Sequence, residues 1–323
     1  MKNNVIYYSV GALLYCPANK RTIADAIIEE KFGSRFSLAL CLEDTIHDDF
    51  VEEAESILID SIKKIYNASQ TRSFYLPKIF VRVRSSEQII RLTRSFGESG
   101  RIVMGYIIPK FSAANSGGYI QAVIKANEMA SHKIYMMPIY ESASIISLKN
   151  RIGLLYELKE ELSQIEELVL NIRVGGNDLC HLFGFRRHAD ESIYHILPIA
   201  HIFSDICTIY GSDYVISGPV WEYYSGDNWR QGLLQEIADD KLCGFTGKTV
   251  IHPNQIEVVN QAYRVTQTDY HDAMAILNWN KDLHSFVSGN VIKERMNECK
   301  THYNWAQKTL FLAEAFGVES CPA

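Results

Sequence analysis

The chain has 323 residues, of which 47% are hydrophobic and 22% charged, with 8 Pro and a formal net charge of −6. This is the profile of a folded globular protein, with length for one large α/β domain of about 250 residues plus an appendage, and it excludes a disordered chain. The negative balance argues against nucleic-acid binding, because a phosphate-neutralising surface needs an excess of Lys and Arg.

In chain order, the opening residues carry one positive charge before a short apolar run that Asn19, Lys20 and Arg21 end. A signal-peptide cleavage site needs small residues there, so a buried first strand is expected in place of an export signal. Strand-length apolar runs then alternate with segments of helical period. The expected strands are Ala12–Cys16, Ser37–Leu42, Lys78–Arg84, Val103–Pro109, Lys133–Tyr140, Leu168–Val174, Tyr214–Val220 and Lys248–His252. Helical patterns between them include Arg21–Phe32, Phe50–Tyr66, Gln88–Phe96, Tyr119–Ala130, Leu148–Glu167, Ile193–Tyr210, Trp229–Asp240 and Ile256–Arg264. Eight alternating units in about 250 residues predict an α/β fold of the TIM (β/α)8 barrel type, with a doubly wound sheet as the alternative.

Beyond about residue 265 the pattern predicts helices only, Tyr270–Trp279 and Val291–Phe316, with a turn at Ser288-Gly289-Asn290. The expected organisation is a barrel over residues 1–265 and a helical extension over residues 266–323. The apolar face of the extension must be buried on its own barrel or on a neighbouring subunit. No stretch reaches the roughly 18 apolar residues of a membrane span. The seven Cys (16, 41, 180, 207, 243, 299 and 321) are scattered and never in C-x-x-C spacing, which fits reduced thiols in the cytoplasm.

In such a barrel the working residues close the C-terminal ends of the strands. Here those ends carry Glu43 and Asp44, Arg82 and Arg84, Lys110, Glu141, then Gly175-Gly176-Asn177-Asp178, and His252. Glu141 and Asp178 would hold a hard divalent cation, with Mg²⁺ preferred because substrate and water complete its octahedron. Arg82 offers a fork for a substrate carboxylate, against a surface ion pair as the plainer alternative. Glu43 and Asp44 suit water holding or proton transfer, whereas Asp48 and Asp49 belong to the next helix start. The glycines let backbone N–H groups approach a ligand oxygen. His252 beside Pro253 reads as structural, and Trp221-Glu222-Tyr223-Tyr224 as core and rim.

At these residues the chain resembles the citrate lyase β-subunit-like branch of the HpcH/HpaI aldolase superfamily, from about residue 12 to residue 276. Leu14-Tyr15-Cys16-Pro17-Ala18-Asn19 is similar to its V-P-A/G-N, Leu42-Glu43-Asp44-Thr45-Ile46 to its L-E-D-A-V, and Val81-Arg82-Val83 to its V-R-V-N. Pro109-Lys110, Glu141-Ser142-Ala143 and Gly176-Asn177-Asp178-Leu179 match further motifs. Residues 244–255, Gly-Phe-Thr-Gly-Lys-Thr-Val-Ile-His-Pro-Asn-Gln, give the longest match.

The resemblance implies a TIM barrel whose C-terminal extension packs on a neighbouring subunit of a trimer-based homo-oligomer. It implies a Mg²⁺-dependent carbon–carbon lyase with the metal on Glu141 and Asp178. Catalysis would fall to Arg82, Glu43 and Asp44, and substrate contact to Arg82, Arg84, Lys110, Gly176, Asn177, Asn19 and Lys20. Its usual substrates are β-hydroxyacyl-CoA thioesters such as citryl-, malyl- or citramalyl-CoA, cleaved to a 2-oxo acid by a retro-aldol or retro-Claisen step.

Departures at Cys41, Arg84, Ser144, Ile145 and Ser217, and a long interval between Glu141 and Asp178, resemble a divergent branch associated with stress and tellurite-resistance gene clusters. Two alternatives follow. Arg84 beside Arg82 would favour a phosphorylated or nucleotide-like substrate, and the substitutions together would fit a metal-binding regulatory module without turnover.

Overall fold

A computed structural model describes residues 2–279 and 285–320; Cys321, and the corresponding tail of the expected extension, lie outside the described residues. Eight parallel strands run β1 Ala12–Pro17, β2 Phe36–Cys41, β3 Lys78–Arg82, β4 Val103–Ile108, β5 Tyr135–Tyr140, β6 Ile172–Val174, β7 Ile216–Ser217 and β8 Lys248–Val250. Each pairs with its sequence neighbour, and β8 returns to β1. The β7–β8 seam is closed by the parallel bridge of Gly218 to Lys248 and by Gly218 N donating to Gly247 O at 2.9 Å. The sheet is therefore a closed (β/α)8 barrel, as expected.

The outer helices are α1 Ile23–Ile28, α2 Val51–Ser69, α3 Ser86–Phe96, α4 Ser116–Met129, α5 Arg151–Ser163, α6 Gly176–Phe183, α7 Leu197–Tyr210, α8 Trp229–Leu242 and α9 Asn254–Ala262. Alternation along each strand divides the core in two. Outward side chains such as Leu14, Leu38, Val81, Ile108 and Tyr140 pack against the helices, while Leu13, Ala39, Phe80, Ile107 and Met137 fill the barrel interior. Tyr7, Tyr8 and Val10 join the interior set. The opening residues are thus a plug carrying a 3-10 turn at Val5–Tyr7, and the first strand begins only at Ala12.

Behind the β7–β8 seam lies a buried ion cluster. Lys248 Nζ sits 3.0 Å from Glu236 Oε1 and 2.7 Å from Asp240 Oδ2, all three fully buried, and Arg187 Nε lies 3.1 Å from Glu236 Oε2. Tyr194 donates to Asp240 at 2.6 Å. Burial, joined by the nearby Glu236, pushes the Asp240 carboxyl up to about 6 against the pull of Lys248.

The extension departs from expectation. After α10 Gln267–Leu277 comes a hairpin, β9 Val287–Gly289 with β10 Met296–Glu298, and only then α11 Tyr303–Phe316. Ser288 and Gly289 lie in a strand, and Asn290 turns the chain by accepting from Glu294 N at 2.9 Å. Val291 and Ile292 lie in the turn between the two strands, so the start of the expected helix is replaced by turn and strand. On its own barrel α11 stacks Phe311 on Tyr8 and Phe316 on Tyr263, with centroids 5.2 and 5.3 Å apart. The interval between Glu141 and Asp178 also differs. The fifth helix is shorter than expected, and part of the length lies in 3-10 turns at Ala143–Ile145 and Glu166–Leu168.

Candidate active site

At the C-terminal mouth β2, β3, β4 and β5 bring five of the expected residues together. Arg82 ends β3 facing inward and is 7% exposed. Its Nη2 lies 2.9 Å from Glu43 Oε2, 2.9 Å from Asp44 Oδ2 and 3.1 Å from Glu141 Oε1. Lys110 follows β4, with Nζ 2.5 Å from Glu43 Oε1 and 3.0 Å from Asp44 Oδ1. Its backbone N–H donates to Glu141 Oε1 at 3.1 Å, from a left-handed φ of 49°. A non-glycine residue in that region costs on the order of 1 kcal/mol, so the contacts around Lys110 hold it there.

Charge and burial separate the carboxylates. Glu141 is 4% exposed. Burial pushes its carboxyl up to about 8, Asp178 adds repulsion, and Arg82 opposes both. Burial likewise raises Glu43, with Arg82 pulling the other way. Burial acts on Asp44 too, but its hydrogen bond with Glu43 and the charges of Arg82 and Lys110 prevail and hold it below the usual range. Burial thus raises the proton affinity of Glu43 and Glu141 while Asp44 is held ionised, and acid–base chemistry uses such a difference between neighbouring carboxyls.

Asp178 stands in the first turn of α6, where the helix N-terminus favours a carboxylate. Its charge reaches Glu141 across the end of β6. Glu141 packs against the end of β6 because Gly175 has no side chain: a Cβ there would meet Glu141 Oε2 at 2.1 Å and Glu141 Cβ at 2.3 Å. Gly176 is equally constrained, its missing Cβ lying 2.6 Å from Ile193 Cδ1. The glycines thus serve packing, and the Gly175 N–H is spent on Tyr140 O at 3.2 Å. Among the described residues no group of three or more His, Cys, Asp or Glu is placed to hold a metal ion. The pair Glu141 and Asp178 would suit a cation whose other ligands are water and substrate, the donor set of Mg²⁺.

Arg84 is corrected. Its Nε donates to Leu42 O at 2.6 Å and its Nη2 to Glu43 O at 3.2 Å, and further bonds reach Ile46 O and Asp48. The strand ends at Arg82, so Arg84 points into the loop that carries Glu43 and Asp44 and braces it, with its donors already committed. Asn19 and Lys20 are exposed after β1 and touch none of the four carboxylates; the Lys20 ammonium sits 5.9 Å from the Phe32 ring centroid. Asn177 lines a separate cleft of about 220 Å³ with Arg186 and Glu222. His252 stacks on Tyr224 at 4.6 Å and accepts from Asn254 N, and Trp221 is fully buried.

Two residues of the interior were not among those expected. Arg173 of β6 is 2% exposed and donates to Thr249 Oγ1 at 2.6 Å, and Tyr15 of β1 lies with its ring centroid 6.0 Å from the Arg82 guanidinium. The available signal is a charged residue inside the apolar run Leu168–Val174.

Similarity to known proteins accords with this geometry. A citrate lyase from Burkholderia xenovorans superimposes with a TM-score of 0.71 at 14% identity, covering 96% of this chain and 93% of that one. Protein CitE from Mycobacterium tuberculosis, solved in complex with magnesium, acetoacetate and coenzyme A, gives a TM-score of 0.59 at 17% identity, over 95% of this chain and 99% of the other. At such identities the likeness is one of fold. Citrate lyase subunit beta of Haemophilus influenzae is 41% identical over 54 residues, a match that covers 17% of this chain and 19% of that protein. Its counterpart from Escherichia coli is 39% identical over 54 residues, covering 17% and 18%. The match thus spans about a fifth of the length of these curated relatives. Over residues 4–318 the chain matches the model of the C–C bond lyases of the TIM-barrel fold, and it belongs to that family.

Proposed function

We propose that this protein is a Mg²⁺-dependent carbon–carbon lyase that cleaves a carboxylated β-hydroxyacyl-CoA, of the citryl-, malyl- or citramalyl-CoA kind, and releases a 2-oxo acid. The observation that carries the reading is the convergence of Glu43, Asp44 and Glu141 on one nitrogen of Arg82, with Asp178 across the glycine-lined end of β6. The magnesium, acetoacetate and coenzyme A bound to the CitE protein support it.

Glu141 and Asp178 would hold the cation, which when bound supplies Lewis-acid polarisation of the oxo-acid oxygens. Arg82 is fixed before substrate arrives, so its charge is preorganised for a carboxylate. Glu43, whose pKa burial has raised, takes the hydroxyl proton as the carbon–carbon bond breaks; the bonding pair passes to the α-carbon of the departing thioester as an enolate, which takes up a proton to leave as the acyl-CoA. Asp44 stays ionised and keeps Arg82 and Lys110 in place. The phosphorylated-substrate alternative loses its motive, because the Arg84 donors are bonded within the chain.

The assembly we propose is a trimer-based homo-oligomer. Phe286, Val287, Ile292 and Met296 on the hairpin segment are more than 40% exposed and form an apolar surface that a neighbouring subunit would cover. No described helix is long and apolar enough to cross a membrane, and the six described cysteines are free, which supports a cytoplasmic setting.

The test is turnover of citryl-, malyl- and citramalyl-CoA with Mg²⁺ or with EDTA. Release of oxaloacetate, glyoxylate or pyruvate is expected only with metal, and not from Glu141→Ala. Release indifferent to both changes, or no release from any thioester, contradicts the reading.

A further inference from the structure

One layer below the carboxylate cluster the interior holds a second arginine that the chemistry above does not use. Alternation turns Ile172 and Val174 outward and Arg173 inward, in register with Ile139 of β5 and Ser217 of β7. The next inward position on β6 is Gly175, against which Glu141 packs. Arg173 thus lies about 6–7 Å down the strand from the mouth. Its guanidinium crosses to β8, where Nη2 donates to Thr249 Oγ1 at 2.6 Å, and its charge falls on the Tyr15 hydroxyl of β1. Among the described residues it pairs with no carboxylate, and its buried Nη1 has no hydrogen-bond partner.

A guanidinium carries only donors and stays charged, so burying it unpaired is costly unless an anion completes the site. A hydroxyl that accepts from it must turn its own proton elsewhere, and Thr249 is in that position. Tyr15 lies between Arg82 and Arg173; burial keeps its phenol protonated, with a pKa of about 12, against the pull of both. Among the described residues neither hydroxyl donates to a protein acceptor, and both residues are only half-buried. Two free O–H donors backed by an unpaired cation make a receptor for an anionic oxygen.

We propose that Tyr15 and Thr249, backed by Arg173, receive a second carboxylate of the oxo acid, so that the site selects a dicarboxylic oxo acid over a monocarboxylic one. The inference rests on the reading of the mouth as a Mg²⁺-dependent oxo-acid site, where the first carboxylate belongs to Arg82. Arg173 then determines specificity through the two hydroxyls.

The experiment is calorimetric titration of the full-length protein in Mg²⁺ with pyruvate and with freshly dissolved oxaloacetate. The native protein should bind oxaloacetate at least about tenfold more tightly than pyruvate, the worth of a charge-assisted hydrogen bond. Arg173→Met, and separately the double variant Tyr15→Phe with Thr249→Val, should bring that ratio to near one. The double variant nearly preserves volume and tests the subsite if Arg173→Met does not fold. Native protein that binds pyruvate with no preference for oxaloacetate, or a preference that survives in both variants, overturns this inference alone. Failure to bind either oxo acid in Mg²⁺ overturns the reading of the mouth and this inference with it.

Discussion

Replacing Arg82 by Met keeps the unbranched apolar stem and removes the charge on which three carboxylates converge. Arg82 Nη2 lies 2.9 Å from Glu43, 2.9 Å from Asp44 and 3.1 Å from Glu141. Glu141 is 4% exposed, so it loses a compensating charge where water cannot replace it. Breaking a buried pair by removing one partner costs about 3–5 kcal/mol. Asp44, with 44% of its side chain exposed, adds little because solvent screens it. The cost depends on pH in a stated direction. Burial already raises the Glu141 carboxyl to about 8 with Arg82 opposing, and without Arg82 it rises further. Between the ordinary carboxyl range and that value the folded state holds a proton that the unfolded chain has lost, so stability falls as pH rises. Urea unfolding followed by circular dichroism should show a larger loss for Arg82→Met at about pH 9 than at about pH 6. A loss below about 1 kcal/mol at the higher pH, or a larger loss at the lower, refutes the picture of Arg82 as the compensating charge.

Gly175→Ala places a methyl group 2.1 Å from Glu141 Oε2 and must displace that carboxylate; turnover with Mg²⁺ should fall about a hundredfold, and native turnover would show that Glu141 does not need this packing. Lys248→Met leaves Glu236 and Asp240 buried beside the barrel seam and should cost about 3–5 kcal/mol in urea unfolding, whereas an unchanged midpoint would remove the cluster from the list of stabilising contacts. Arg84→Met unties the loop bearing Glu43 and Asp44 from Leu42 O and Glu43 O; about 1–3 kcal/mol of stability should be lost. Loss of phosphate-ester binding by that variant, with thermal stability unchanged, would instead make Arg84 a ligand contact.

The barrel was legible because its apolar runs are bounded by turns and end on charges. Leu40-Cys41-Leu42 leading into Glu43 and Asp44, and Met136–Tyr140 into Glu141, display strand and site together. Arg84 was misread because strand periodicity cannot say where pairing stops; two further residues of strand would have aimed it into the mouth, and the loop turned it to backbone carbonyls. Arg173 was missed for the converse reason. A single charge inside an apolar run looks incidental until the register shows it facing inward, with no carboxylate partner among the described residues. In the extension, Ser288-Gly289-Asn290 are residues that end and cap helices as readily as they turn a hairpin, so local pattern does not distinguish the turn at Asn290 from a break between helices.

The most direct measurement is a crystal structure grown with Mg²⁺ and pyruvate. It should show one cation bound by the carboxylates of Glu141 and Asp178, with the pyruvate carboxylate on Arg82. A cation bound elsewhere, or pyruvate seated away from Arg82 with Glu141 and Asp178 free of metal, would contradict the assignment.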